Sequence, residues 1–282
     1  MQLFFKNLEK ILPLFFLLAW PTQATSPSPL SGSTNINCSG NLVFFPQATN
    51  KVYLLTNGHC IPLLLNHSLH YKNPKLYVLN YPMTGQIPVL NHSDQVENLH
   101  IKKVAFATMN QNDLALIEMS DNFETLRAKS IQIWEVDRDP PIEGEQIEVV
   151  SGYWKQSYLC RIKSLNVCLQ EGIYRWPQSL LVDESCRFKS GVSGSPFVST
   201  KSRKIVGLAN TLADKGRPCE LNMPCEISSS GQTSIREGGS YGQLVNELYK
   251  CFDAGGEFSI ENTDCPFGID GERLEIQNNR YL

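Results

Sequence analysis

Short runs of β-forming residues recur through most of the chain, and residues that favour turns bound each of them. Between the runs lie clusters such as YPMTG, DRDPP and KGRP, whose glycine, proline and aspartate residues are typical of tight turns. Many short strands at close intervals are typical of β-sandwiches and β-barrels. The runs predicted as strands are Asn41–Phe45, Lys51–Thr56, Lys75–Leu79, Asp113–Glu118, Gln146–Val150, Pro196–Ser199 and Lys204–Asn210.

Two further segments indicate how the strands are organised. The chain becomes polar over Asp121–Glu145 and contains DRDPPIEG there, which is typical of a connector between two β units. Near the C-terminus, Tyr241–Phe252 (YGQLVNELYKCF) has apolar residues at close to helical spacing, so it is predicted to be a helix. We therefore expect an all-β protein with two β units and a C-terminal helix.

The first residues have the order of a secretory signal. Two lysines precede the apolar run Ile11–Trp20, and Pro21–Ala24 then ends in a small residue. The run is about ten residues long, whereas a membrane span needs about 20. We predict that residues 1–24 are a signal peptide and that the mature chain, 25–282, has no membrane segment and is secreted, either outside the cell or into a periplasm.

Nine cysteines support export, because disulfides form in oxidising compartments. The odd number means that at least one cysteine is free or forms an intermolecular bond. The sequence contains no Cys-x-x-Cys pair, and the close pair His59–Cys60 consists of adjacent residues, which make poor co-ligands. We expect no metal site and no organic cofactor.

The charge of the chain argues against nucleic-acid binding. The formal net charge is −3, and no block of basic residues or basic stripe with interleaved aromatics occurs. A nucleic-acid-binding protein normally carries a basic surface that neutralises phosphates.

The stretch SGVSGSP, Ser190–Pro196, could be a polar turn or could contain a nucleophilic serine. A serine nucleophile needs a base, most often histidine, and a third group that orients the base. The α/β-hydrolase order requires a histidine after the serine, and none follows. The order Asp–His–Ser leaves only Asp94 before His100, with no motif around it, so His–Asp–Ser is favoured. The five histidines are His59, His67, His70, His92 and His100.

Within that order, His59 and Asp113 are the strongest candidates. His59 follows the apolar run VYLLT in the sequence TNGHC, and a strand end is where a scaffold presents catalytic groups. Asp113 precedes the apolar run LALIEM, where a buried carboxylate is costly unless it has a partner. The remaining histidines before His100 lie in polar loops and are interpreted as solvated.

Three motifs, in the same order, resemble those of trypsin-like serine proteases. TNGHC resembles TAAHC, and NDLALIEM resembles the D-[IL]-A-L-[IL] segment of that family. GVSGSP resembles GDSGGP and, more closely, the GNSGSP of bacterial glutamyl-endopeptidase-like members. The resemblance extends from about Asn35 to Phe252.

That resemblance implies a chymotrypsin-like fold of two six-stranded Greek-key β-barrels. The N-terminal barrel would cover about 35–125, the C-terminal barrel about 140–250, and a disulfide-containing tail 251–282. It also implies an endopeptidase that acts on protein or peptide substrates, expected to be a monomer. The alternatives are a catalytically silent homologue that serves as an extracellular binding module, and a structural protein in which SGVSGSP is only a turn.

The resemblance assigns roles to individual residues. Ser193 would be the nucleophile, His59 the general base and then acid, and Asp113 the residue that orients the imidazole. The amides of Gly191 and Ser193 would form the oxyanion hole. Val192 stands where trypsin has the aspartate that pairs with a new N-terminus, so we expect activation that does not depend on such an ion pair.

The specificity pocket is ambiguous in the sequence. Counted back from Cys186, Glu184 matches an acidic pocket floor that would favour Lys or Arg substrates. Counted back from Ser193, Arg187 matches instead and would favour acidic substrates. The segment Leu208–Asn210, which includes the candidate pocket residues Leu208 and Ala209, is expected to form a pocket wall.

The resemblance also implies that Cys38 pairs with Cys60 beside His59. Proximity in the sequence suggests two more pairs, Cys219 with Cys225 and Cys251 with Cys265. Three cysteines then remain, of which two are available to pair: Cys160, Cys168 and Cys186.

Overall fold

The computed structural model describes residues 27–48, 50–61, 73–267 and 270–273. The predicted signal, 1–24, and the histidines His67 and His70 lie outside these ranges. Nearly all of the regular structure in the described residues is β-strand, and the strands form two separate sheets. Within the described residues, no helix has the length and apolar character that a membrane crossing requires.

The first sheet closes on itself into a six-stranded barrel. Its strands follow the order β1-β2-β3-β6-β5-β4, and β1 also pairs with β4, which completes the ring. Two short parallel strands attach to it, β7 (Trp134–Glu135) on β2 and β16 (Glu272–Arg273) on β4. The ring strands are β1 (Ser33–Asn35), β2 (Ser39–Phe44), β3 (Tyr53–Thr56), β4 (Leu76–Leu90), β5 (Val96–Thr108) and β6 (Leu114–Met119).

The second sheet closes in the same way. Its order is β10-β15-β12-β11-β8-β9, and β9 pairs with β10. A small hairpin, β13 (Cys225–Ile227) and β14 (Thr233–Ser234), extends from β9. The ring strands are β8 (Gln146–Ser151), β9 (Gln156–Glu171), β10 (Tyr174–Val182), β11 (Pro196–Ser199), β12 (Ile205–Leu212) and β15 (Ser240–Leu244).

These two rings confirm the predicted all-β fold of two six-stranded Greek-key barrels. The connector between them contains one short helix, α1 (Phe123–Ala128). The Asn122 side chain caps it by accepting a hydrogen bond from the Thr125 amide at 3.0 Å.

Each barrel has its own apolar interior, and a third cluster joins the two. Leu42 and Leu54 lie inside the first barrel, and Ile147 and Phe197 inside the second. The joining cluster combines residues of both barrels with aromatic residues of the C-terminal segment; its members include Tyr53, Phe106, Val150, Val198, Leu208, Tyr249, Phe252 and Phe258. Complete burial of a side chain of this size stabilises the fold by about 1.5–3 kcal/mol, so this cluster holds the barrels together.

The predicted helix over Tyr241–Phe252 is wrong in its first half. Residues 240–244 form β15, which is buried along its whole length between β10 and β12. Only Asn246–Cys251 is helical, as a 3-10 helix. Gly242 illustrates the close packing of β15, because a Cβ at this position would lie 2.7 Å from the backbone oxygen of Leu208 on β12. Close packing between two neighbouring strands therefore decides the local structure rather than the spacing of the apolar residues.

Candidate active site

His59 and Asp113 lie together at the open ends of two neighbouring strands. β3 ends at Thr56, and His59 follows in the 3-10 helix Gly58–Cys60. Asp113 directly precedes β6, which pairs with β3. The imidazole Nδ1 of His59 lies 2.6 Å from Asp113 Oδ2, and the His59 backbone N–H donates to Asp113 Oδ1 at 3.0 Å. The carboxylate thus fixes both the backbone and the ring of the histidine.

The surroundings hold Asp113 in place. Its side chain is fully buried, and its backbone carbonyl accepts a hydrogen bond from the Asn57 amide group at 2.8 Å. Glycine is required at position 58, between Asn57 and His59, because a Cβ there would lie 2.0 Å from the backbone oxygen of Thr108. The turn that carries His59 is therefore packed directly against the segment that carries Asp113.

The pKa of His59 lies above its ordinary value. Burial of the imidazole lowers the pKa, but the charge of Asp113 and its hydrogen bond to the ring raise it, and the charge of Glu171 raises it further. The net effect is a histidine whose protonated form is stabilised. That property suits a base that must hold a proton during part of a reaction.

Ser193 lies on the loop between β10 and β11. Its hydroxyl donates to the backbone carbonyl of Asn210 at 3.0 Å, and the structure contains no hydrogen bond between the side chains of Ser193 and His59, both of which are described. The loop is fixed against the first barrel, because the Ser39 N–H donates to the Ser193 carbonyl at 2.7 Å. A Cβ on Gly194 would lie 1.9 Å from the Ser39 carbonyl oxygen and 2.4 Å from Thr56 Oγ1. The loop thus packs against the strand that leads to His59.

The backbone before Ser193 presents two N–H groups without acceptors. Among the described residues, neither the Gly191 N–H nor the Ser193 N–H donates to a backbone or side-chain oxygen. Gly191 has φ +92, and a Cβ at this position would lie 2.6 Å from the Tyr153 ring. Only glycine fits both the left-handed backbone and the close approach of the ring. Free backbone donors beside a serine can bind an oxyanion.

The three serines of SGVSGSP lie in different environments. Ser193 is partly exposed, whereas Ser195 is completely buried and its hydroxyl has no hydrogen-bond partner. The Ser195 backbone pairs with Ala209. Ser190 is exposed, and its carbonyl accepts a hydrogen bond from the Trp154 indole at 3.1 Å. Of the three hydroxyls, only that of Ser193 lies at the surface where the free N–H groups are.

Val192 is part of the apolar interior of the second barrel. It is 2% exposed and packs in the cluster that includes Phe188 and Phe197. An aspartate at this position would have to be buried among apolar side chains. The loop is therefore held by hydrophobic packing at the position where a charged residue would need an ion pair.

The structure contains four disulfides. Cys38–Cys60 joins the residue just before β2 to the turn of His59, and the sulfurs and a ring nitrogen of His59 lie within 4.8 Å of one another. Both sulfurs are used in the disulfide, so this group is unsuitable as a metal site. Cys168 is free, and the Arg175 guanidinium donates to its sulfur at 3.4 Å. The other pairs are Cys160–Cys186, Cys219–Cys225 and Cys251–Cys265.

The two candidate pocket-floor residues lie at the surface. The side chain of Glu184 is 71% exposed and forms an ion pair with Lys163. Arg187 is also exposed, whereas the next residue, Phe188, is buried. Both charged side chains therefore point outward. Neither side chain forms the floor of a buried pocket.

Leu208 and Ala209 lie on β12 directly behind the Ser193 loop. Both are completely buried, Leu208 in the cluster between the barrels and Ala209 inside the second barrel. Their backbones support the loop, since the Ala209 carbonyl accepts from Gly194 N–H at 2.9 Å. They act as a backing for the loop rather than as an open pocket wall.

Glu171 is not one of the candidate residues in the sequence motifs. It ends β9 and is 5% exposed. Its Oε1 accepts a hydrogen bond from the Asn222 N–H at 2.8 Å, while Oε2 is buried without a partner among the described residues. Burial raises the pKa of Glu171, and Thr211, the Asn222 amide and His59 offset part of this rise. No short motif marks such a residue, because its neighbours come from distant parts of the chain.

The other described histidines have separate surroundings. His100 is exposed, and its ring lies 2.8 Å from the Gln86 amide nitrogen and 3.5 Å from Asp121. His92 lines a surface cavity of about 760 Å³ beside α1. None of the candidate catalytic residues lines that cavity, so its chemistry is separate from theirs.

Comparison with solved structures finds proteases with low similarity to this chain. The MamO protease domain from Magnetospirillum magneticum is 14% identical, with a TM-score of 0.43; the match covers 75% of this chain and 85% of that one. Nocardiopsis protease (NAPase) is 14% identical, with a TM-score of 0.42 and coverages of 77% and 92%. Neuropsin, a serine protease of mouse brain, is 10% identical, with a TM-score of 0.44 and coverages of 79% and 93%.

All three TM-scores are below 0.5. No protein-family model matches the chain. No curated protein matches it either.

Proposed function

We propose that this chain is an exported serine endopeptidase with Ser193 as nucleophile, His59 as general base and acid, and Asp113 as the residue that orients His59. The observation that carries the proposal is the buried Asp113 carboxylate, which accepts from both the backbone and the ring of His59. This arrangement leaves Nε2 as the free nitrogen that can accept a proton. Its substrates would be proteins or peptides outside the cell or in a periplasm.

In the first step, Ser193 Oγ attacks the carbonyl carbon of the peptide bond and its proton passes to His59 Nε2. The hydroxyl has to leave the Asn210 carbonyl and rotate towards His59, as catalytic hydrogen bonds often tighten only when substrate is bound. Asp113 stabilises the imidazolium that forms. The N–H groups of Gly191 and Ser193 would bind the negative oxygen of the tetrahedral intermediate.

In the following steps, His59 donates its proton to the nitrogen of the departing peptide, and the C–N bond breaks. The remaining acyl group is held as an ester on Ser193. A water molecule then attacks the ester carbonyl while His59 takes its proton, and the second intermediate collapses to release the acid and restore the Ser193 hydroxyl. Every proton that His59 accepts is returned, so the enzyme ends the cycle unchanged.

We infer that activation does not require an ion pair at the residue before the nucleophile. Val192 packs in the apolar cluster of the second barrel, so hydrophobic packing can hold the Ser193 loop in place without an ion pair. A form of the protein that retains extra residues before Thr25 should therefore be active.

Labelling with a fluorophosphonate probe tests the proposal. Such a probe reacts only with an activated serine, so it should label the disulfide-intact protein and Ser195→Ala but not Ser193→Ala. Absence of labelling in folded protein would exclude the peptidase and favour a silent homologue that acts as a binding module. Loss of labelling in Ser195→Ala alone would show that the nucleophile is Ser195 and not Ser193.

A further inference from the structure

The two free N–H groups of the Ser193 loop belong to peptide planes that are held in different ways. In a planar trans peptide the carbonyl and the N–H point in opposite directions, so a group that binds the carbonyl also sets the direction of the N–H. The Ser193 N–H shares its plane with the Val192 carbonyl, which accepts a hydrogen bond from the Ser195 N–H at 2.8 Å. The Gly191 N–H shares its plane with the Ser190 carbonyl, for which the loop, described in full, provides no donor. The loop's own backbone therefore fixes the first N–H but not the second.

Trp154, from a different hairpin, supplies the missing donor. It lies in the turn between β8 and β9, and its indole N–H donates to the Ser190 carbonyl at 3.1 Å. No other group in the described part of the chain donates to this carbonyl. The direction of the Gly191 N–H therefore depends on the Trp154 side chain.

The indole of Trp154 is held in one orientation although it lies at the surface. The residue is 41% exposed. The Tyr153 ring meets the Trp154 ring edge to face, with the centroids 5.2 Å apart, and Lys189 Nζ lies 5.7 Å from the centroid of the Trp154 ring, where a cation is attracted. The Trp154 backbone N–H donates to Ser151 Oγ at 3.3 Å. Contacts on the ring and on the backbone thus aim the indole N–H at the Ser193 loop.

A buried serine pair connects the turn of Trp154 to the same loop. Ser151 Oγ lies 2.9 Å from Ser39 Oγ, and both residues are completely buried. Ser39 Oγ donates to the Gly191 carbonyl at 3.2 Å and accepts from the Tyr153 N–H at 3.1 Å. The peptide after Gly191 is therefore held from the core, and the peptide before it is held from the surface by Trp154.

We propose that Trp154 is a positioning residue for the oxyanion hole, which holds the Ser190 carbonyl so that the Gly191 N–H points at the oxyanion. Trp154 does not touch the reacting atoms and acts only through the peptide plane between Ser190 and Gly191. Donors of this kind lower the barrier because they are aimed in advance at the position where negative charge develops. The inference rests on the proposed peptidase function, because it concerns the oxyanion hole of the same site.

Trp154→Phe tests the proposal, because it keeps an aromatic ring and removes the donor. For a peptide amide, kcat should fall at least about tenfold, which is part of the about 10²–10³-fold loss expected when an oxyanion donor is removed completely. KM should change little, because the N–H acts on an oxygen that is charged only in the intermediate. The acid limb of the pH profile should stay in place, since the effect does not pass through His59.

Tyr158→Phe is the matched control. It also removes one donor from an aromatic residue of the β8–β9 hairpin, but the Tyr158 hydroxyl donates to Gln156 at 3.0 Å and not to the Ser193 loop. This variant should keep the kcat of the wild type, and denaturant unfolding should show that both variants are folded under the assay conditions. An equal fall of kcat in both variants would overturn the inference, because the loss would then come from the hairpin as a whole.

A second measurement is independent of catalysis. In the Ser193→Ala background, nitrogen-15 relaxation should give the Gly191 N–H an order parameter near the rigid value of about 0.85, and Trp154→Phe should lower it towards about 0.6. The N–H of residue 193 should stay rigid, because its plane is held by Ser195.

The two measurements together decide the inference. A Gly191 N–H that stays rigid in Trp154→Phe would overturn it, and so would a mobile N–H with an unchanged kcat. If the fluorophosphonate probe does not label the wild type, the peptidase proposal fails. The order parameter alone then decides whether Trp154 holds the Gly191 N–H in place.

Discussion

Asp113 holds His59 by two hydrogen bonds, one from the ring Nδ1 at 2.6 Å and one from the backbone N–H at 3.0 Å. The second bond fixes the peptide plane of His59 as well as its ring. An aspartate that served only as a turn residue would bond to its own local backbone. Asp113 instead bonds to the backbone and the ring of a residue 54 positions earlier in the chain.

Asp113→Asn should lower kcat by about 10⁴-fold, because an amide in place of the carboxylate leaves His59 in the wrong tautomer. The measurement is steady-state hydrolysis of a peptide ester or amide. Asp121→Asn is a suitable control, since Asp121 also lies beside a histidine, but that histidine, His100, is exposed and is not part of the candidate site. A variant at Asp113 that keeps its activity would remove this residue from the mechanism.

The pH dependence of kcat/KM should reflect the raised pKa of His59. The base must be neutral to accept a proton, so the rate should fall as the pH drops through the pKa of His59, and this acid limb should lie above the ordinary histidine value of about 6.5. Glu171→Gln removes one of the charges that raise this pKa, so the limb should move to lower pH. A limb that stays unchanged in this variant would contradict the electrostatic contact between the two residues.

Gly191→Ala should reduce kcat by about 10²–10³-fold if the Gly191 N–H stabilises an oxyanion. The added methyl group would meet the Tyr153 ring and would favour a different backbone angle. Gly231→Ala is the control, because Gly231 also has a positive φ, +81, but has no atom within 4 Å of a Cβ. Gly231→Ala places an alanine at a similarly left-handed backbone angle, but this position is remote from the site. The variant should therefore lower stability slightly and leave kcat unchanged.

Glu171→Gln should raise the melting temperature at pH 7. Because burial raises the pKa of Glu171, the folded state prefers the protonated carboxyl, and its contribution to stability is fully present only below the unfolded pKa. That contribution is lost as the pH rises through the folded pKa. Scanning calorimetry at pH 7 and in acid should show a gain that disappears at low pH. An equal melting temperature at both pH values would mean that the carboxylate is not strained by burial.

Replacement of both Cys38 and Cys60 by serine should destabilise the protein by about 2–4 kcal/mol, as is typical for the loss of a disulfide. Activity should fall more steeply than folded fraction, because the bond ends beside His59. Cys168→Ser is the control, since Cys168 is the free cysteine of the described residues. Denaturant unfolding and peptide hydrolysis on the same samples would separate the two effects.

The sequence predicts the all-β fold and the seven strands that it identified, because each carries a local pattern. It does not predict β5, β9 or β10, whose long hairpins mix exposed polar and buried apolar residues. It also misassigns Tyr241–Leu244, where two neighbouring strands override the spacing of apolar residues. The conformation of these segments depends on partner strands that are distant in the sequence.

The candidate site divides in the same way. His59, Asp113 and Ser193 each lie in a short motif, so they could be proposed from the sequence alone. The environment of Glu184 could not be predicted, because its partner Lys163 lies 21 residues away on β9. Glu171 has no local signal, since the groups around it come from Thr211 and Asn222.

Ser39 belongs to the first barrel but holds the loop of the second. Its N–H donates to the Ser193 carbonyl, and its hydroxyl contacts the Gly191 carbonyl at 3.2 Å and accepts from the Tyr153 N–H at 3.1 Å. The relative placement of the two barrels is therefore part of the alignment of the nucleophile. A substitution in the joining cluster that shifted one barrel relative to the other would therefore lower the catalytic rate while the protein was still fully folded.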